Sequence, residues 1–527
     1  MNTNTKVYDE LNTAWKSTCR IVLGGEIGEL KDFSPWLNEY MSEIGKRKSY
    51  VSGKEVSLVM NDYCDGARFV SMDEAKERAI DPLTINQVKD LDSIVDAISS
   101  QWEYIGNRVT GSSDAVENSD LIIDSHYILD SANIQQCTRS FASSNIRMNC
   151  KQAFGCIGSI KAEFAIRGLG VVGSTRIFEG FMVSECSDIY FCSNCIGCHD
   201  LLFCFNQRNK NFCIGNLQLP KEKYLAIKTK LLAELMEELK RSKRFPSILQ
   251  LVPNSVSPVN LVVPTIKEDE HNFSRIENAV ASVFKVVLKR DIDGVLEYGP
   301  WLSRYGYKMH KIETTFGSEG FVLEDNRLSG ALPLIPEKRL VSDLEAKELE
   351  ELAMDGSDIT SLRRVIENLP KVGYFCISTS VGNNQNVIDS PSATRSSNVY
   401  KTPYPTFSEY CIFSSSPLKS KYVLGGTRII ESEFSINCYN SLRMTRCLEM
   451  DACNNCADSY FCHNSDDLSE SMFCWNAKSK RYAIGNAQLQ PDQYRKIKDA
   501  LVSQMADEII RNKELKWDIY NIGCVKS

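Results

Sequence analysis

The sequence predicts an α+β protein formed by tandem duplication, in which each copy has an α-rich N-terminal part, a short Cys-lined β-solenoid and a C-terminal capping helix. Three observations support this prediction. Stretches of the two halves match at a constant offset, cysteines recur at a short regular spacing, and each Cys-rich stretch precedes an amphipathic helix. A fixed period with small interior residues is typical of solenoid proteins.

Matched segments in the two halves indicate the duplication. At an offset of 270 residues the matches are 186–194 with 456–464, 203–206 with 473–476, and 214–219 with 484–489. At an offset of 265 residues, 20–23 matches 285–288 and 35–37 matches 300–302. The pattern predicts copies at 1–262 and 263–527. Their α-rich parts are expected at 1–122 and 263–400, and their solenoids with capping helices at 123–262 and 401–527.

The cysteines recur at a step of six residues. The first copy has Cys186, Cys192, Cys198 and Cys204 at this step, and the second copy keeps it with Cys456, Cys462, Leu468 and Cys474. Cysteine is small, apolar and usually buried, so it suits a narrow interior. Asn, Ser, Asp and Gly lie between these positions and favour turns. The spacing therefore predicts coils with thiols stacked inside.

A predicted helix follows each Cys-rich stretch. Its apolar residues repeat at steps of three and four, which places them on one face: Tyr224, Ile227, Leu231, Leu235 and Leu239, and Tyr494, Ile497, Leu501, Met505 and Ile509. This face is expected to cover the end of each solenoid. In the N-terminal parts, 84–102 and 342–369 are predicted to be helical. The polar stretches 111–121 and 381–407 are predicted to be loops.

Composition excludes some classes of function. The 527 residues include 61 Lys and Arg against 68 Asp and Glu, a net charge of −7 that argues against a general polyanion binder. No apolar run is long enough to span a membrane, and the start of the chain is not typical of a signal peptide. The 20 cysteines are therefore expected in a reducing cytoplasm, where cysteines are buried thiols, metal ligands or catalytic groups.

A resemblance to a known group lies at the end of the first Cys-rich stretch. Residues 203–216 read FCFNQRNKNFCIGN, followed by PKEKY at 220–224. This stretch resembles the end of uncharacterised Cys-rich repeat, β-solenoid-like proteins of bacteria and tailed phages. The second copy departs from the pattern, since Ala483 replaces the second cysteine and 478–480 reads KSK. The resemblance implies the fold and a phage context, but no activity.

The candidate metal ligands are Cys192, Cys195, Cys198 and His199. Zinc is held by four nitrogen or sulfur ligands in a tetrahedron, and Cys-x2-Cys supplies one usable pair. The second copy has Cys462, Ser465, Leu468 and Ser469 at the matching positions, so a fold common to both copies cannot require the metal. A stacked thiol interior and disulfides are the alternatives.

No candidate catalytic residue is assigned. A catalytic cysteine needs a base, and none of the five histidines recurs at matching positions. The basic cluster 240–244 either complements the end of a helix or contacts phosphate. The sequence favours a non-enzymatic structural or scaffold protein of a larger assembly, such as a phage virion. Its expected partners are other proteins, with no membrane and no nucleic acid. The alternatives are a zinc-dependent module that binds nucleic acid and a solenoid acyltransferase.

Overall fold

The protein is described from a computed structural model, which covers residues 5–75, 83, 87–160, 163–254, 271–292, 294–324, 331 and 334–524. The structure is mixed, with 27% helix and 33% strand. Residues cluster into two compact units. Unit 1 comprises Met1–Gly45, Asn107–Thr265 and Met309–Thr379, and unit 2 comprises Lys46–Gly106, Ile266–Lys308 and Ser380–Ser527.

Unit 1 contains a 13-stranded sheet whose neighbouring strands run parallel, apart from a final antiparallel pair. Its strands are Val109–Thr110, Asp114–Glu117, Asp120–Ile123, His126–Leu129, Ala132–Phe141, Ser144–Phe154, Ile157–Ile160, Leu169–Val172, Thr175–Ser184, Ser187–Ser193, His199–Leu202, Asn211–Ile214 and Leu217–Gln218. Two-stranded sheets join Met309–Glu313 to Glu319–Leu323 and Leu340–Val341 to Phe375–Cys376.

Unit 2 contains an 11-stranded sheet of the same kind. Its strands are Gln385–Ile388, Ser397–Tyr400, Glu409–Ile412, Lys421–Leu424, Glu433–Tyr439, Leu442–Asp451, Asn454–Ala457, Tyr460–His463, Ser469–Met472, Arg481–Ile484 and Ala487–Gln488. The remaining small sheets pair Gly45–Lys48 with Glu55–Leu58, Phe69–Ser71 with Tyr104–Gly106, and Ser380–Val381 with Ala393–Thr394.

Most parallel strands in both large sheets pair at an offset of 12 residues, and a few pair at 13, as Ser144 does with Ile157. Ser187 lies beside His199, and His199 lies beside Asn211. Along much of the sheet the backbone enters the left-handed region at every third residue, within strands as well as between them. Between 188 and 215 these residues are Asp188, Phe191, Asn194, Gly197, Asp200, Phe203, Asn206, Asn209, Phe212 and Gly215. Asn, Asp and Gly tolerate this conformation best, which explains their abundance between the cysteines.

The predicted fold class is wrong. The part of the chain that the structure describes is a mixed fold with a large parallel sheet, and it does not show a tandem pair of solenoid modules. The six-residue spacing of the cysteines is half of the 12-residue offset between paired strands. The spacing therefore follows from strand pairing in the sheet. The sequence matches between the two halves also do not indicate which segments of the chain pack together. Lys46–Gly106 clusters with unit 2, and Met309–Thr379 clusters with unit 1.

The helices are Lys6–Leu23, Ser34–Asn38, Leu91–Ser99, Lys221–Ser242, Ile248–Leu251, Phe273–Leu288, Gly299–Leu302, Asp343–Glu348, Leu362–Asn368 and Pro491–Asn512. Short 3-10 helices span Leu30–Phe33, Val295–Tyr298, Glu337–Arg339 and Leu369–Lys371. The two long helices expected after the Cys-rich stretches are confirmed. Each packs an aromatic ring on the sheet: Tyr224 lies 5.6 Å from Phe212, and Tyr494 lies 5.7 Å from Tyr482, between ring centroids.

In the N-terminal parts the predicted helices are found, but the predicted loops are not. The helix predicted at 84–102 is observed at Leu91–Ser99, and 84–86 lies outside the described residues. The stretch 342–369 contains two helices, as predicted. The predicted loops are wrong, because Asp114–Glu117, Gln385–Ile388 and Ser397–Tyr400 are sheet strands. Their polar composition reflects left-handed positions within and between the short strands, such as Asn386 and Asn398.

Candidate functional site

A ladder of hydrogen bonds runs through the Cys-rich interior of unit 1. The amide of Cys198 donates to Sγ of Cys186, 12 residues earlier, at 3.4 Å, and the Cys186 thiol donates to the carbonyl oxygen of Ser184 at 3.1 Å. Cys192 does the same, since its Sγ accepts from the amide of Cys204 at 3.4 Å and its thiol donates to the carbonyl of Tyr190 at 3.4 Å. Each thiol therefore joins one strand to the next.

Serine and threonine occupy the same position elsewhere in the sheets. The amide of Cys186 donates to Oγ of Ser174 at 2.9 Å, and the amide of Cys453 donates to Oγ of Ser441 at 3.1 Å. Among the described residues, the hydroxyl oxygens that accept from an amide 12 residues on belong to Ser113, Ser119, Ser125, Ser131, Ser174, Ser390, Ser396, Thr402, Ser408, Ser420, Ser432, Ser441 and Ser465. A short side chain that both accepts and donates is thus common at this position, and cysteine is such a side chain.

Burial makes most of these thiols poor nucleophiles. The free cysteines among the described residues are buried. Burial raises the pKa of Cys156 and of Cys447 to about 12, and it raises the pKa of Cys192 well above its ordinary value. The thiolate is the reactive form of cysteine, so these groups are unreactive near neutral pH.

Cys198 is the exception to this trend. Its hydrogen bond with Cys186 lowers the pKa of Cys198 to about 7 and raises the pKa of Cys186. Cys198 is nevertheless only 2% exposed, and its Sγ accepts from the amide of Lys210 at 3.4 Å. Its sulfur is already engaged in the ladder on both sides.

The predicted zinc ligands lie on two faces of the chain. Cys192, Cys195 and Cys198 are buried in the thiol row, whereas His199 is exposed. The His199 ring lies beside Asp200, with Nδ1 and Oδ2 3.3 Å apart. Among the residues that the structure describes, no group of three or more His, Cys, Asp or Glu side chains is placed to hold a metal ion. The zinc site stays a prediction.

His463 occupies a fully buried position that the sequence did not indicate. Its Nε2 accepts from the amide of Ile105 at 2.9 Å, and its Nδ1 lies 3.0 Å from Oδ2 of Asp451. Asp451 also accepts from the hydroxyl of Tyr520 at 3.1 Å. These contacts join three distant stretches of unit 2, so the imidazole acts as a structural link there.

Glu449 is a second buried group of unit 2 that the sequence analysis missed. Its Oε2 accepts from the backbone amide of Ile519 at 3.0 Å, and its Oε1 accepts from the side-chain nitrogen Nδ2 of Asn437 at 2.9 Å. Burial, and then the charge of Asp518, raise the pKa of Glu449 to about 8. Asp518 in turn accepts from Nη1 of Arg304 at 3.0 Å.

Unit 1 has a comparable buried carboxylate at Glu179. Its Oε1 accepts from the amide of Ile248 at 2.6 Å, the hydroxyl of Ser247 at 2.9 Å and the hydroxyl of Tyr40 at 3.1 Å. Glu179 and Glu449 both fasten a later segment of the chain to a large sheet. The signal that could have found them is a lone glutamate within an apolar run, as in IFEGF at 177–181 and CLEM at 447–450.

The described residues also contain two disulfides. Cys137 and Cys150, on neighbouring strands, have Cα atoms 4.4 Å apart. Cys64 and Cys524 are 460 residues apart in sequence, with Cα atoms at 6.2 Å. At these four positions the structure has disulfides, which the sequence left open as an alternative to stacked thiols.

Two further findings bear on function. Across the described residues, no helix has both the length and the apolar character needed to cross a membrane. Comparison of the chain with protein-family models, with curated proteins and with solved structures finds no match.

Proposed function

We propose that the protein is a non-enzymatic structural or scaffold component of a larger protein assembly. The observation that carries this proposal is the hydrogen-bond ladder of buried thiols and hydroxyls. The cysteines are the most reactive residue type in the sequence, and their thiols are used to join strands. Sγ of Cys192, for example, lies between the amide of Cys204 and the carbonyl of Tyr190. The ladder serves the rigidity of the sheet, which a scaffold needs.

The exposed faces of the sheets support the same proposal. Charged side chains there pair along the 12-residue step, as Arg176 does with Asp188 at 2.6 Å and Arg446 does with Asp458 at 2.7 Å. Surface ion pairs of this kind add little stability. These ion pairs neutralise charge in regular rows along the face. A catalytic site would instead concentrate charged groups at one point. Such faces suit extended contacts with other proteins.

The basic cluster at 240–244 favours protein partners over nucleic acid. Arg244 pairs with Glu39 at 3.1 Å, and Lys240 pairs with Glu237 at 3.0 Å. Arg241 pairs with Glu238. Phosphate binding relies on cations that are free to replace counterions, and these cations already have acidic partners. The finer proposal, that the assembly is the virion of a tailed phage, rests on the sequence resemblance at 203–224 alone.

Native isolation tests the proposal. The full chain is purified gently from its native source, and its complexes are analysed by size and by crosslinking mass spectrometry. We expect the protein in a particle with other proteins at fixed stoichiometry. A monomeric protein with a measurable turnover that one polar substitution abolishes would contradict the proposal. Stoichiometric zinc bound through Cys195 would instead favour the metal-dependent binding module.

A further inference from the structure

Cys64 and Cys524 differ from the other cysteines of the described chain in their exposure. The free thiols are buried, whereas Cys64 and Cys524 are half-buried and joined in a disulfide. Both belong to unit 2, and their Cα atoms lie 6.2 Å apart, within the usual range for a bridge. A small thiol can therefore reach this pair more readily than the thiols of the sheet interior.

The disulfide lies at one end of the segment 515–524, which packs tightly on unit 2. Leu515, Ile519, Tyr520 and Ile522 in this segment are 0% exposed. The amide of Cys64 donates to the carbonyl of Tyr520 at 3.3 Å. The amide of Gly523 donates to the hydroxyl of Tyr104 at 3.1 Å.

Buried carboxylates of the sheet lie beneath this segment. Glu449 accepts from the amide of Ile519, and Asp451 accepts from the hydroxyl of Tyr520. Both carboxylates are 0% exposed. The segment thus supplies a donor to each carboxylate and lies over both of them.

We propose that the Cys64–Cys524 disulfide is a redox-sensitive latch that holds the segment 515–524 closed over Glu449 and Asp451. Two molecules of a small thiol such as glutathione open it by exchange. The first thiolate attacks one sulfur and forms a mixed disulfide, and the second releases the oxidised small-molecule disulfide, leaving thiols on Cys64 and Cys524. The reverse exchange closes it. After reduction the non-covalent contacts alone hold the segment, so it opens more often.

Hydrogen exchange of the full-length protein tests the latch. Peptides covering 515–524 are followed by mass spectrometry after incubation with oxidised glutathione and after incubation with dithiothreitol, with disulfides mapped in both samples. We expect the bridge in the oxidised sample and at least a tenfold faster exchange of these peptides after reduction. Peptides from 221–242 in unit 1 serve as an internal reference and should not change.

The variant Cys64→Ser separates this bridge from Cys137–Cys150, which dithiothreitol also reduces. We expect its 515–524 peptides to exchange as fast as those of the reduced wild-type protein, with no further response to dithiothreitol. The proposal fails if oxidised glutathione leaves Cys64 and Cys524 as free thiols. It fails equally if the bridge forms and exchange at 515–524 is the same in both redox states. The wild-type samples decide this even if the variant does not fold.

Discussion

The sulfur of Cys186 lies between two strands and bonds both, because it accepts from the amide of Cys198 and donates to the carbonyl of Ser184. Serine performs the same task at Ser174, directly before it in the ladder. This equivalence explains why a chain can carry many cysteines that are neither disulfides nor nucleophiles. A buried amide needs an acceptor, and the thiol supplies one to Cys198 while adding a second donor to the carbonyl of Ser184, which also accepts from the amide of Gly197 at 3.0 Å.

Thiol reactivity in the native state follows from this burial. Burial raises the pKa of Cys411 and of Cys447 to about 12, so their thiolate fraction at pH 8 is roughly a thousandfold below that of a free cysteine. We expect iodoacetamide to modify them at least 100-fold more slowly in folded protein than in guanidinium. Cys64, once reduced, is the control, because its half-buried position predicts rapid modification. Rapid labelling of Cys411 and Cys447 in folded protein would contradict this account.

Stability should depend on pH through Glu449. Its pKa rises from 4.5 to about 8 on folding, so the folded state holds the proton more tightly than the unfolded state. The resulting stabilisation is complete below about pH 4.5 and is lost as pH rises toward about 8. Between these values the slope reaches at most about 1.4 kcal/mol per pH unit.

Urea unfolding from pH 5 to pH 8.5 measures this slope, with Glu449→Gln as the comparison. The glutamine cannot titrate, so we expect the variant to lose less stability than the wild type over this range. Parallel pH profiles for the wild type and Glu449→Gln would show that this carboxyl is not the titrating group.

The interleaved units predict how the chain behaves when it is cut. Fragment 1–262 lacks Met309–Thr379 of unit 1, and fragment 263–527 lacks Lys46–Gly106 of unit 2. We therefore expect neither fragment alone to unfold cooperatively on heating, as followed by circular dichroism. Co-expressed fragments should associate and recover a cooperative transition. A cooperative transition in isolated 1–262 would mean that each half is an independent folding unit.

Some of this structure is predictable from sequence because local patterns determine it. The helices Lys221–Ser242 and Pro491–Asn512 follow from apolar steps of three and four residues, and thiol burial follows from regular cysteine spacing. The sheet beginning near Gln385 does not follow, because asparagine and serine at its left-handed corners give the composition of a loop. The partners of Glu449 come from positions far away along the chain, and spacing carries no information about them.

Metal analysis addresses the four residues predicted as zinc ligands. His199 is exposed, while the sulfurs of Cys192, Cys195 and Cys198 face the interior. We expect less than one tenth of an equivalent of zinc in protein purified without chelator, and no change in unfolding temperature for His199→Ala. One equivalent of zinc that His199→Ala removes would establish the metal site.

The most direct measurement is the free energy of unfolding of Cys192→Ser and Cys192→Ala, determined with urea beside the wild type. Serine retains an acceptor for the amide of Cys204 and a donor for the carbonyl of Tyr190, whereas alanine leaves that amide without its acceptor and leaves the carbonyl only its bond from the amide of Phe203. We expect alanine to be less stable than serine by about 1 to 3 kcal/mol. At Cys19, buried in the helix Lys6–Leu23, the order should reverse, because serine there buries a hydroxyl without a ladder to join. If alanine equals or exceeds serine at Cys192, the thiols are only apolar filler, and the ladder does not stabilise the sheet.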